Sequence, residues 1–277
     1  MIAFKSSGSH NHSKARRLRH SLRKLGPALF VGVVLSYLFA PVIVTVLFSF
    51  TVSPRLSLPI EGFTLDWYKS AFGNPLFVDA MQNTLILALS SAIVAVIFGT
   101  SFAFGITSIK GRRRRIALTA SLLPAAIPAL VLGIALAVFF SGIGSRQGLL
   151  NASIGHAVLS LPFVILTMNA RLETFDFTTL EAARDLGASP LQTFRDITLP
   201  IIRTAVIGAG LLAIALSLDE FVVTWFNIGN EMTIPVLIWG LLRRGIDPSI
   251  NALASVVLVS LIAIVMVSNR LTNRNER

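Results

Sequence analysis

The sequence has no cysteine, few charges and almost no histidine. Without cysteine there is no disulfide framework, no thiol nucleophile and no cysteine–zinc site. His10, His12 and His20 sit in a polar N-terminal stretch, and His156 stands alone, so no metal-ligand spacing exists. There is no G-x-x-x-x-G-K-[ST], the loop whose backbone cradles nucleotide phosphates. No polar stretch is long enough to form a soluble solute-capturing domain. No nucleophile–base pair marks a catalytic centre. Asp219 and Glu220 are neighbours, but on a helix adjacent side chains point about 100° apart and make no acid–base pair. No convincing repeat relates the two halves, and such a repeat is the mark of a self-sufficient secondary transporter. That transporter remains the reading outside the one developed below.

Apolar length is what the chain has. Of 277 residues, 54% are apolar and 13% charged, far from the balance of a soluble domain. A helix needs about 20 mostly apolar residues to cross the hydrocarbon core. Five uncharged runs reach that length: 29–50, 83–109, 116–145, 147–170 and 248–269. A sixth, 204–218, reaches it if 199–202 and 221–226 belong to the same helix. The run 232–242 is too short and reads as re-entrant or interfacial. The expectation is an all-α integral membrane protein with six transmembrane helices. Its first helix is peripheral, and prolines can kink spans three and four. Residues 1–27 form a basic arm, 28–270 the transmembrane domain and 271–277 a tail. The first apolar run is long enough to stay as an uncleaved anchor.

The charges set the orientation. Six spans divide the 24 lysines and arginines into 19 on one side and five on the other, the five being Arg55, Lys69, Arg146, Arg243 and Arg244. Positive residues are retained in the cytoplasm, so both termini are expected there. The net charge of +11 does not point to nucleic acid. The Gly111–Arg115 cluster lies in a short loop without interleaved aromatics and reads as a topology determinant facing anionic headgroups.

One polar stretch, EAARDLGASPLQTFRDITLP from Glu181 to Pro200, interrupts the greasy sequence on the cytoplasmic side. Thr178 and Glu181 have the spacing of a capping box. Gly187 suits a left-handed helix terminus. Ser189 and Pro190 suit the N-cap and first position of a second helix. Leu186, Leu191, Phe194 and Ile197 are positioned to anchor the segment to the spans. Small residues at Ala182, Ala183 and Gly187 allow another surface to come close. The segment 173–200 therefore reads as a rigid docking element.

Glu181-Ala182-Ala183, then Gly187, then Ile197-x-Leu199-Pro200, resembles the EAA motif of permease subunits in binding-protein-dependent ABC importers. Pro124, Pro128 and Gly133-Ile134, His156 with Leu161-Pro162-Phe163, Ser217-Leu218-Asp219-Glu220-Phe221 and Asp247-Pro248-x-Ile250-Asn251-Ala252 resemble its spermidine/putrescine branch. The likeness covers roughly residues 30–270. It implies a type I importer permease fold with a cytoplasmic coupling helix. Glu181, Ala182, Ala183, Gly187, Ala188 and Ser189 would meet the ATPase. The partners implied are a second permease, an ATPase dimer carrying the ATP and Mg, and an external substrate-binding protein, with no cofactor on this chain. The cargo implied is a polyamine. Relatives in the branch carry opines, amino-acid-like compounds or phosphonates.

Asp219, Glu220 and Trp225 lie together near the outer end of the fifth span. Carboxylates beside an aromatic suit a primary ammonium through Coulomb attraction and cation–π contact. Two readings stay open: these residues line the substrate pathway, or they sit at the interface and bond the loop or the binding protein. His156 reads as a packed or capping residue.

Overall fold

The computed structural model describes residues 9–53, 59–243 and 248–274. Arg55, Arg244, Asp247 and the two chain ends lie outside them. The described chain is helical apart from its connections and one isolated bridge between Thr51 and Phe63. The helices are α1 (Ser9–Phe48), α2 (Asp66–Gly73), α3 (Pro75–Thr107), α4 (Gly111–Ser121), α5 (Leu123–Ala126) and α6 (Ala129–Gly142). They continue with α7 (Leu149–Glu173), α8 (Thr178–Asp185), α9 (Pro190–Thr193), a π-turn (Phe194–Thr198) and α10 (Leu199–Asp219). The last three are α11 (Val222–Asn227), α12 (Ile234–Leu242) and α13 (Pro248–Arg274).

Among the described residues, five helical segments are long and apolar enough to cross a membrane: Leu29–Phe48, Pro75–Thr107, Leu149–Glu173, Pro190–Asp219 and Pro248–Val267. The expected third span, 116–145, is not one helix. It is divided into α4, α5 and α6. Pro124 and Pro128 each remove a backbone donor, and the residue before a proline is pushed toward extended geometry. Ile127, before Pro128, is extended at φ −82° and ψ 129°. A single proline does less: Pro162 lies inside α7, which runs unbroken for 25 residues.

The fifth span also differs from expectation. It gains length at its N-terminal side, where helix is continuous from Pro190 through the π-turn into α10. It does not extend into 221–226, because Glu220 turns extended (φ −75°, ψ 107°) and α11 is separate. The helix α1 starts at Ser9 and runs through residue 27, so no helix break marks the expected edge of the arm. The run near 232–242 forms α12, only nine residues and about 14 Å long, too short to cross. It is tied to α3 where Asn83 Nδ2 donates to the Met232 carbonyl (3.0 Å) and the Ile234 N–H donates to Thr84 Oγ1 (2.8 Å).

The centre of the bundle is α3, α7 and α10. Their contact is built from small residues, Ala92, Ala95, Ala103, Ala157, Ala209 and Ala213, around Val164 and Met168. Lipid is as apolar as a side chain, so helices in a membrane associate by close packing, and small residues permit it. A Cβ on Gly99 would lie 2.7 Å from Val164 Cγ1. More than half of the α7 span is buried, whereas none of the α1 span is, so α7 is the central post and α1 is peripheral. The α3–α4 link, the α7 C-terminus and the α10 N-terminus share one end, which also carries the Lys110–Arg115 cluster and is called the basic end below.

Candidate functional site

Residues picked out by the sequence fall at the two ends of the bundle. At the basic end, α7 leads into α8 through Thr174–Phe177. The cap of α8 is not the expected Thr178–Glu181 box. Asp176 Oδ1 accepts from both the Thr178 N–H (3.0 Å) and the Thr178 hydroxyl (2.7 Å). The Glu181 N–H donates instead to the Phe177 carbonyl (3.3 Å). A carboxylate two residues upstream is the stronger acceptor at a helix N-terminus, and it takes the hydroxyl hydrogen. The same bonds hold the Asp176 carboxyl below its ordinary value. Glu181 is left exposed, making no cap.

The turn after α8 follows expectation. Gly187 has φ +85°. The Gly187 N–H donates to the Arg184 carbonyl (2.9 Å) and the Ala188 N–H to the Ala183 carbonyl (3.0 Å), the paired bonds of a Schellman terminus. Ser189 then caps α9, with Pro190 at its first position. The cap is reciprocal: Ser189 Oγ accepts from the Gln192 N–H (3.3 Å), and Gln192 Oε1 accepts from the Ser189 N–H (2.9 Å).

The apolar anchors are not the expected ones. Leu186 is 90% exposed and Leu191 74%, Phe194 is also exposed, and Ile197 is half-buried. An eight-residue helix has one inner face, and here Leu180 and Ala183, one turn apart, occupy it. Buried Phe175 holds the entry, with its ring 4.9 Å from that of Phe177. Ala183 therefore packs inward. Glu181, Ala182, Gly187 and Ser189 are exposed, Ala188 is half-buried, and Leu186 stands beside them. The loop is braced from both sides. Arg171 donates to the Ile201 carbonyl (2.9 Å), joining the foot of α7 to α10. Arg114 donates to Glu173 Oε1 (2.9 Å) and to Asn169 Oδ1 (3.0 Å), joining α4 to α7, and Asn169 Nδ2 donates back to Glu173 (3.1 Å). So one arginine of the basic cluster has a structural partner, which the charge pattern alone did not indicate.

At the opposite end, α10 stops at Asp219. Its side chain is exposed and, among the described residues, has no hydrogen-bond or ion-pair partner. Glu220 is engaged locally: its Oε1 accepts from the Val223 N–H (2.9 Å) at the start of α11. Trp225, 45% exposed, tilts against Phe221 with ring centroids 5.7 Å apart. Phe221 in turn lies 5.3 Å from Trp239, whose face carries Arg243 at 5.3 Å. The three expected pathway residues thus share one end, with Glu220 Oε1 bonded to the start of α11. Trp225 also borders an apolar cavity of about 310 Å³ with Phe77, Leu237 and Leu253.

Beneath Asp219 lies a polar cluster around His156, which the sequence reads as a packed or capping residue. His156 is buried, with Nδ1 2.7 Å from Ser217 Oγ and Nε2 2.7 Å from Thr224 Oγ1. The only sequence signal was a titratable ring inside a span. Asn227 Nδ2, at the far end of α11, donates to the Gly133 carbonyl of α6 (3.0 Å). No group of three or more His, Asp or Glu among the described residues is placed to hold a metal.

Residues 95–277 match the family described as "binding-protein-dependent transport system inner membrane component". The spermidine/putrescine transport system permease protein PotC of Haemophilus influenzae is 33% identical over 248 residues, covering 89% of this chain and 96% of that one. The putrescine transport system permease protein PotI of Escherichia coli K12 is 32% identical over 235 residues, covering 80% and 82%. A chain in the crystal structure of a bacterial ABC transporter that imports alginate superposes with a TM-score of 0.72 at 17% identity, covering 97% of this chain and 99% of that one. At that identity the likeness concerns the fold, that of a type I ABC importer permease.

Proposed function

Since the chain belongs to the inner-membrane components of binding-protein-dependent transport systems, we propose that it is half of the translocation pathway of an ATP-driven importer for putrescine, spermidine or a related small organic cation. It is a transport subunit and not an enzyme. In this reading the basic end faces the cytoplasm with both termini, because lysine and arginine concentrate there. A second permease completes the pathway. An ATPase dimer supplies the energy, with ATP and Mg bound on its own chains, and an external binding protein delivers the cargo.

One observation carries the coupling role: Leu186, nine-tenths exposed, stands on a turn fixed by Schellman and capping-box bonds. A leucine held rigidly in solvent beside Glu181, Ala182 and Gly187 is suited to a cleft on another protein. Ala188 and Ser189 form the rim of that face. Ala183 contributes by seating α8 on the spans. The polyamine assignment rests on the names of the PotC and PotI relatives, supported by the exposed carboxylate of Asp219 at the opposite end. A carboxylate with no partner among the described residues is available to an ammonium group. Glu220 serves by capping α11, and Trp225 offers an exposed ring face nearby.

The test is ATP-dependent uptake of radiolabelled putrescine and spermidine into proteoliposomes holding the chain with its co-encoded permease, ATPase and binding protein. Saturable uptake, undiminished by unlabelled amino acids, opines or phosphonates, is the expected result. No polyamine uptake, in a complex whose ATP turnover still responds to loaded binding protein, rejects the cargo and turns the search to zwitterionic and anionic solutes.

A further inference from the structure

The hydrogens around His156 can be assigned one by one. The Thr224 hydroxyl donates its hydrogen to the Glu220 carbonyl (2.8 Å). Toward His156 its oxygen can then only accept, so the hydrogen of that 2.7 Å contact belongs to Nε2. In the neutral ring the other nitrogen, Nδ1, accepts, and Ser217 donates to it across 2.7 Å. Ser91 Oγ on α3 stands 3.3 Å from Ser217 Oγ, with its one hydrogen shared between Ser217 and the Ala88 carbonyl (3.2 Å). The oriented chain therefore runs from Ser217 on α10 through His156 on α7 to Thr224 on α11, ending at the Glu220 carbonyl. All four side chains are buried. In such surroundings a hydrogen bond is strong and an unmade one costly.

The two ends of the imidazole bond to hydroxyl groups that tie it to the chain on either side of one residue. Nδ1 is bonded to Ser217, two positions before Asp219. Nε2 is bonded to Thr224, whose hydroxyl holds the carbonyl of Glu220, one position after it. This is also where α10 ends and the backbone turns extended. The approach of α7 needed for the grip is allowed by Gly155, where a Cβ would lie 2.7 Å from Val223 Cγ1.

We propose that His156 is a positioning residue for Asp219: by clamping Ser217 and Glu220 it fixes the joint between α10 and α11 and sets the direction in which the Asp219 carboxylate faces. The proposal rests on the reading of Asp219 as part of the substrate pathway. His156 does not touch the cargo. Its ring fills the space behind the joint, out of reach of solvent.

The experiment uses the full transporter in proteoliposomes with putrescine as the probe. His156→Ala, Asp219→Asn and their combination are compared by uptake and by ATP turnover stimulated with loaded binding protein. His156→Ala is expected to lower uptake about tenfold, because misplacing a positioned group by an ångström costs at least that much. ATP turnover stays within about twofold, since the change lies far from the ATPase. The double variant is expected to transport no worse than Asp219→Asn alone, and His156→Gln, which retains a donor for Thr224, recovers part of the loss. Additive losses, or a parallel fall in uptake and ATP turnover, overturn the proposal.

The joint itself is read separately. The chain has no cysteine, so Val223→Cys supplies a single thiol at a fully buried position. It should resist a membrane-impermeant maleimide beside His156 and react in the His156→Ala background. Protection that persists there shows that His156 does not hold the joint, and overturns the clamp. If Asp219→Asn transports normally, the pathway reading fails, and the clamp is judged by this labelling alone. If His156→Ala does not assemble, Thr224→Val cuts one side of the clamp at nearly constant shape and takes its place in both assays.

Discussion

Arg114 and Glu173 stand 59 residues apart in the chain and 2.9 Å apart in space. The pair joins the broken α4–α6 segment to the last residue of α7, immediately before the chain turns into α8. Both side chains are partly exposed, 33% and 55%, so solvent screens the pair and it adds little to stability. Its value lies in geometry. Arg114→Ala is expected to lower uptake per ATP hydrolysed while the unfolding midpoint in detergent barely moves. Arg114→Glu combined with Glu173→Arg should restore the ratio. A swap no better than the single changes would remove the pair from the coupling route.

Leu186 is expected to matter only to a partner. Burying an exposed leucine is worth about 1.5–3 kcal/mol, so losing that contact should weaken association about tenfold or more. Leu186→Glu should leave expression and assembly with the second permease unchanged. The amount of ATPase co-purified with the complex is the measurement, and undiminished recovery would place the docking face elsewhere.

Gly187 carries a backbone conformation that a side chain resists. At φ +85° an alanine costs about 1 kcal/mol or more. Gly187→Ala should speed proteolysis of the α8–α9 turn in the detergent-solubilised protein and reduce ATP-dependent uptake, although a Cβ there would meet nothing within 4 Å. A variant indistinguishable from wild type in both assays would show that the turn tolerates strain.

The cap of α8 gives a pH prediction. The Thr178 hydroxyl and N–H hold the Asp176 pKa below its ordinary value of 3.8. A carboxyl with a depressed folded-state pKa stabilises above its unfolded pKa, and that help is lost as pH falls through the folded value. Protection of the Thr178–Glu181 amides, measured against their intrinsic exchange rates, should therefore be full at neutral pH and fall only below pH 3.8. Asp176→Asn should show the reduced protection already at neutral pH, and unchanged protection in that variant would assign the cap to another group.

The α3–α7 contact offers a compensating pair. Gly99→Ala forces a methyl against buried Val164 and should cost about 1–3 kcal/mol. Adding Val164→Ala makes room for that methyl and should return most of the loss, read as the unfolding midpoint in detergent. A double variant less stable than Gly99→Ala would mean that the helices separate without repacking.

Local chemistry was the most legible part of the sequence. Gly187 and Ser189 specify their turns through their own backbone and side chains, and both turns form where the residues say. Five membrane-length helices were legible because length and apolarity suffice, whereas the run 116–145, equally long and apolar, is divided. What the sequence did not disclose depends on competition or on distance. Thr178 has a capping partner at the right spacing, yet Asp176 is the better acceptor. Leu186 and Leu191 look like anchors by composition, and only the three-dimensional position of Leu180 and Ala183 shows that the inner face is already filled. Pro124 and Pro128 announced a kink, but two prolines so close end the helix, where Pro162 alone does not. His156 meets Ser217 and Thr224 from 61 and 68 residues away, a convergence no local pattern encodes.

The peripheral helix α1 packs against α13, so the first helix of the described chain docks on the last. During synthesis the ribosome delivers α1 to the membrane long before its neighbour exists. With none of its spanning window buried, it must wait in lipid, or against the insertion machinery, while the α3–α7–α10 centre forms. Closure of the bundle is then an act of termination: until α13 is made, α1 is tied to the rest of the chain only at its end, through Ser49 on Tyr68 and Thr51 on Trp67.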